Sequence, residues 1–173
     1  MGWDNVWLGT SVGGEGGLSR ILALLAAPKA KVKFLSLEPL HDFISITTIP
    51  EFINAGYTRV TNALTGTIQE WEEYYGEISD GGIIQGDKID WVIVGGESGN
   101  ESGKYRYRPC EFEWIEKIVF DCKEAGVPVF VKQMGTYLAK RHGLGDRHGT
   151  LMEHWPPSLQ VREFPKGKEV VHA

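Results

Sequence analysis

Glu38, Glu97 and Lys132 occupy matching places: each follows a short apolar run, at 32–37, 91–94 with its glycine pair, and 127–131. Such runs, rich in β-branched residues, read as strands buried on both faces. In open α/β sheets and barrels, ligands bind at the carboxyl ends of the strands. Ser98 and Gln133, each one residue further on, extend the set to a hydroxyl and an amide. Two carboxylates converging there suit an amine, a ribose or a metal. The plainer alternative is that each carboxylate caps the following helix or pairs with Arg108 or Lys132. Lys132 itself suits a phosphate or carboxylate, or serves as a rim charge. The common placement predicts that Glu38, Glu97 and Lys132 line one cavity.

Other constellations are weaker in pattern. Tyr105-Arg106-Tyr107-Arg108 interleaves aromatic and basic residues, which suits stacking and backbone contacts to nucleic acid, against a formal net charge of -5. His142, His148 and His154 are each six apart, with Asp146 and Glu153 nearby, and this is not a short zinc-type spacing. The glycine-rich segment 13–17 lacks the lysine and hydroxyl ending of a phosphate loop and reads as a plain or site-lining loop. Gly96-Glu97-Ser98-Gly99 does not have the nucleophile-elbow pattern. Cys110 and Cys122 are twelve apart, and Cys122 falls on an apolar helical stripe, the place of a structural cysteine.

The elements that must position these residues alternate. A strand over 6–12 is followed by helical spacing at Leu18, Ile21, Leu22 and Leu25, a stop at Pro28 and the strand at 32–37. Pro109 opens a second helix with the stripe Phe112, Ile115, Ile118, Val119 and Cys122. Gly126 ends it in the left-handed position, and the strand at 127–131 follows. Repeated βα units predict an α/β fold with parallel strands, as a partial (β/α) barrel or an open sheet, in one domain over 1–173. Thr48-Ile49-Pro50-Glu51 reads as the start of a short helix. An irregular excursion follows at about 57–88, with Trp71, Tyr74, Tyr75 and Ile78 on one face of a short helix. It reads as a surface excursion, or as a lid or partner-binding arm. From about 134 the tail is irregular, with a helical turn at 151–155 and a short strand at 161–165.

Composition narrows the classes. The 173 residues are 42% apolar and 24% charged, with 23 acidic against 18 basic residues, which disfavours a chain that is basic as a whole. No apolar run reaches the length of a membrane span. Only two cysteines argue against a disulfide scaffold and for a cytoplasmic setting.

Residues 5–12 (NVWLGTSV), 34–40 (FLSLEPL), 89–99 (IDWVIVGGESG) and 126–133 (GVPVFVKQ) together resemble the phage Gp37/Gp68-like family, a group with a radical S-adenosylmethionine-type barrel. Arg108-Pro109 and the closing 161–165 fit as well. The likeness extends over most of the chain and corresponds to the carboxyl-terminal half of such proteins. It implies strand exits facing a cofactor and substrate cavity. Ser11, Glu38, Glu97 and Ser98 would lie on the cofactor side, and Arg108, Lys132 and Gln133 on the substrate side. The family's cluster segment, with three closely spaced cysteines, has no counterpart here. Two cysteines cannot supply the three thiolates that such a cluster needs. The expectation is therefore that this chain alone binds no cofactor, with S-adenosylmethionine and an iron–sulfur cluster implied for the full-length family only. A fragment, a split-gene product or a stand-alone derivative would each fit. The implied partner is a second copy or a separate cluster-bearing half. The resulting functional expectation is a carboxyl-terminal half that retains part of a cofactor and substrate cavity. The alternative is a non-catalytic binding protein using the same scaffold for a protein or small ligand.

Overall fold

A computed structural model describes residues 3–54, 57–74, 77–104 and 106–166. In chain order the elements are β1 (Trp3–Ser11), α1 (Leu18–Ala26), β2 (Ala30–Leu40), β3 (Ile49–Asn54), β4 (Tyr57–Asn62), β5 (Thr67–Tyr74) and β6 (Glu77–Gln85), then β7 (Trp91–Gly96), α2 (Phe112–Glu124), β8 (Val129–Val131) and α3 (Gly135–His142). They form two sheets. One is parallel, in the order β1-β2-β7-β8, and the other is an antiparallel meander, β3-β4-β5-β6. The fold is α/β with an open parallel sheet that does not close into a barrel.

The register divides the parallel sheet into two unlike faces. Thr10 stands beside Leu35, Leu35 beside Val92 and Val92 beside Val129, while Leu37, Val94 and Val131 continue the same face one pleat on. The apolar residues of this face are buried and share one core with Ile21 and Leu24 of α1 and with Ile115, Ile118 and Cys122 of α2. The other face carries Trp7, Phe34, Trp91 and Phe130 towards the strand starts, and Ser11, Ser36 and Glu38 towards the exits. Trp91 is its centre, with ring centroids at 5.9 Å from Trp7, 5.9 Å from Phe34 and 5.5 Å from Phe164. No helix packs over this aromatic face among the described residues; instead, Trp7 is 47% exposed. A tail segment closes the outer edge of β8 by antiparallel bonds, Val131 N–H to Val161 O and Glu163 N–H to Val129 O, both 2.9 Å. The Trp91 indole N–H donates to Glu163 O at 2.9 Å and pins that tail.

Three expectations are corrected. Thr48 to Glu51 does not start a helix. Pro50 lies in β3, an edge strand, where a missing N–H is tolerated. The excursion at 57–88 is not irregular, and its aromatics do not share a helix face. Trp71 lies on β5 and Ile78 on β6, while Tyr75 falls outside the described residues. Threonine, valine, isoleucine and tryptophan along 57–71 favour the pleat. The turn after β4 is built by Asn62, whose Oδ1 accepts from the N–H groups of Leu64 and Thr65. The tail from 134 contains α3, which ends at Gly143 in the left-handed region (φ 65°) after Lys140, Arg141 and His142. That stop pattern of basic last turn and glycine was present in the sequence. As expected, Gly126 takes the left-handed conformation (φ 64°) after α2.

No helix among the described residues is long and apolar enough to cross a membrane.

Candidate functional site

The site lies where β2, β7 and β8 leave the parallel sheet. Glycine lets two of these exits touch. A Cβ on Gly96 would overlap the Met134 carbonyl oxygen, and one on Gly95 would stand 2.9 Å from the Gln133 carbonyl oxygen. The glycine pair thus extends β7 against the β8 exit, where the sequence pattern suggests a turn. Gly96 N–H donates to Gln133 O at 3.0 Å, and Thr136 N–H to Glu97 O at 2.9 Å.

Glu38, Pro39, Gly96, Glu97, Ser98, Lys132 and Gln133 surround an open cavity of about 520 Å³. Glu38, Glu97 and Lys132 therefore do line one cavity. Lys132 Nζ lies 2.9 Å from Glu38 Oε1. The Gln133 amide N–H₂ approaches Ser98 Oγ at 2.8 Å, Gly96 O at 3.1 Å and Glu38 Oε1 at 3.4 Å. Two hydrogens cannot serve three acceptors fully, so the longest contact, to Glu38, is the weak one.

Glu97 is held by Arg108. Its Oε2 accepts from the Arg108 backbone N–H and from Nε, both at 2.8 Å, and its Oε1 accepts from Nη2 at 3.1 Å. The guanidinium fork holds the Glu97 carboxyl below the usual carboxylate range. Burial opposes the shift, and the Arg108 N–H, the Arg108 charge and the nearby His41 add to it. Reciprocally, Glu97 raises Arg108. Arg108 is thus a partner of the rim and does not line the cavity itself. Ser11 does not line it either. It stands on the same sheet face, paired with Ser36, two residues before Glu38.

His41 is a rim residue that sequence reasoning missed. It follows β2 directly, and its N–H donates to Gly13 O at 2.9 Å. Its ring packs on the glycine-rich loop, where a Cβ on Gly13 would lie 2.9 Å from the ring Cδ2. The signal available was a histidine three residues beyond Glu38, opposite a glycine pair.

Elsewhere the candidate groups are structural. Cys110 and Cys122 are buried, and burial pushes both thiols up to about 12, so neither is a thiolate near neutral pH. Asp146 organises the histidine-bearing loop by accepting from the N–H groups of His148, Thr150 and Leu151. No group of three or more metal-ligating side chains occurs among the described residues. Arg106 is exposed, and Tyr105 lies outside the described residues. With Arg108 engaged by Glu97, the Tyr-Arg-Tyr-Arg segment does not form a free basic strip. A larger cavity of about 730 Å³ sits near the strand starts, lined by Val127, Phe164 and Lys166 among others. It lacks the converging carboxylates, amide and hydroxyl of the exit site.

What the exit arrangement can do is bind. Two acids, each already matched to a base, present a surface on which an incoming ammonium can replace Lys132 at Glu38 and a carboxylate can take Lys132 in turn. No curated protein and no solved structure matches the chain. The model of one family, described as "Protein of unknown function (DUF5131)", matches residues 1–169, and the chain belongs to that family.

Proposed function

We propose that this chain is the carboxyl-terminal, cofactor-binding half of a radical S-adenosylmethionine-like protein of phage type, retaining part of the cofactor and substrate cavity. The observation that carries this reading is the convergence of Glu38, Glu97, Ser98, Lys132 and Gln133 around one cavity, beside an aromatic sheet face left open. The donor set fits the ligand's polar parts. Glu38 and Glu97 suit the ammonium of its amino-acid portion and the ribose hydroxyls, with Ser98, and with Ser11 further along the same face. Lys132, Gln133 and the Arg108 behind Glu97 are left for a substrate carrying negative charge or carbonyl oxygen. When bound with a reduced cluster, the cofactor supplies radical chemistry. This chain's residues orient it and exclude water.

The cluster itself does not fit this chain. Three thiolate ligands are required, and the two cysteines present are buried and poorly acidic. A complement bearing the cluster is therefore part of the proposal. The second reading, a non-catalytic binding protein, is favoured by one observation: both rim carboxylates already hold ion-pair partners.

The test is calorimetric titration of the chain with S-adenosylmethionine, alongside Glu38→Gln and Glu97→Gln. Anaerobic reconstitution with iron and sulfide follows, with iron counting and an assay for deoxyadenosine. The expected result is weak binding lost in both variants, with no stoichiometric cluster and no cofactor cleavage. A stoichiometric cluster with cleavage by this chain alone overturns the half-site reading. Absence of any cofactor binding leaves the non-catalytic reading.

A further inference from the structure

The negative charge of this chain is concentrated in its antiparallel sheet. Residues 49–87 carry seven carboxylates against one arginine, a charge of −6, whereas the whole chain is at −5. The remainder, with 17 basic against 16 acidic residues, is at +1. Within the sheet the one arginine is already used, since Arg59 pairs with Glu70 at 2.6 Å and approaches Glu51 at 3.8 Å. Glu72, Glu77 and Asp80 have no basic partner among the described residues.

The same sheet exposes apolar side chains on one face. Pro50, Val60, Gln69 and Ile83 stand in register across the four strands, and Phe52, Thr58, Trp71 and Asp80 do so one pleat on. Ile78, opposite Glu73, continues that face. Phe52 is 81% exposed, Ile78 73% and Ile83 68%. The opposite face differs, because its Thr61 and Ile68 line a cavity shared with Leu22 and Leu25 of α1. A contiguous exposed apolar face rimmed by one sign of charge is the composition of an interaction surface.

We propose that this outer face of β3-β4-β5-β6 is a docking surface for a protein segment in which basic residues flank apolar side chains. Charge complementarity selects that partner. A second copy would bring another −6 against the first. Docking is to the face, because both edges of the sheet are blunted against strand addition. β3 carries Pro50, and β6 carries an irregularity at Asp80-Gly81-Gly82, where Gly82 has φ 95° and its N–H bonds Asp80 Oδ1. The surface uses no residue of the exit site, so its test is independent of the cofactor reading.

Three labelled heptapeptides serve as probes of the full chain by fluorescence anisotropy: alternating lysine and leucine, lysine and serine, and glutamate and leucine. The lysine–leucine peptide is expected to bind best and to weaken as salt is raised. Phe52→Ser with Ile83→Ser is expected to weaken it about tenfold or more, as loss of buried anchors does. Glu72→Lys with Asp80→Lys is expected to act similarly and to abolish the salt dependence. The two pairs remove different properties at exposed positions, so misfolding of one, read by circular dichroism, leaves the other decisive. The proposal is overturned by equal binding of the glutamate–leucine peptide, by failure of the lysine–leucine peptide to bind, or by unchanged binding in the folded variants. A dimer in light scattering that the apolar pair dissociates would overturn it too, by giving the face to a second copy.

Discussion

Glu97 and Arg108 form the best-connected pair of the exit site, and their coupling has a pH consequence. Because the folded Glu97 carboxyl lies below its ordinary value, the pair's stabilisation is fully present above the unfolded value of about 4.3. It is lost as pH falls through the folded value. Arg108 is half exposed, so solvent screening limits the effect to below about 1 kcal/mol. Glu97→Gln should thus be slightly less stable than the parent near neutral pH, with the difference closing as urea melts are repeated down through the carboxylate range. A carboxyl titration of Glu97 by NMR should move upward in Arg108→Ala. Gly96→Ala tests the close approach of the β7 and β8 exits. Its Cβ meets backbone, which cannot swing aside, so a loss of about 1–3 kcal/mol is expected in urea melts. Gly16→Ala, with open space around its Cβ, should stay within about 0.5 kcal/mol of the parent.

Between elements, Lys33 links α1, β2 and the segment leading to β7. Its side chain is buried, and Nζ donates to Leu25 O at 2.8 Å, Ala27 O at 2.7 Å and Asp87 Oδ2 at 2.9 Å. It thereby satisfies carbonyls at the end of α1 that have no helical partner. Lys33→Met keeps the stem and removes the donor, so about 1–3 kcal/mol should be lost, with faster amide exchange at the end of α1. An unchanged urea midpoint would mean that water replaces the ammonium. This function was not legible from Lys33 itself, which reads as an ordinary alternating residue of a strand. The apolar runs of β2, β7 and β8 were legible, because strands covered on both faces leave little room for polar residues. β4 to β6 were not, since their exposed faces carry charges and their aromatics happen to fall three and four apart.

At the scale of the molecule, the parallel sheet has one edge closed and one open. The tail at 161–163 pairs with β8, whereas β1 has only β2 as its strand partner among the described residues. Ending the chain after Gln160 would strip that cover and remove Phe164 from the Trp91 cluster. The truncated protein should melt at lower temperature, bind more of a hydrophobic dye and elute as larger species in light scattering. Unchanged melting and a monomeric elution would show that the tail contributes nothing to closing the sheet.

The sequence alone determined the repeating strand–helix–strand order, the parallel sheet and the polar residues at its exits. These are local properties: an apolar run, a helical stripe and a glycine stop are written in neighbouring residues. It also placed Glu38, Glu97 and Lys132 in matching positions, which the register turned into one cavity. Only the tertiary structure decided which groups meet. Lys132 pairs with Glu38 across β7, Arg108 returns through a loop to Glu97, and His41 settles on Gly13. Such contacts depend on strand register and on loops closing over long separations, and residue spacing does not encode either. The antiparallel sheet belongs to the same class. Its alternation is broken by half-exposed faces, so its strands become recognisable only when their backbone bonds are paired with one another.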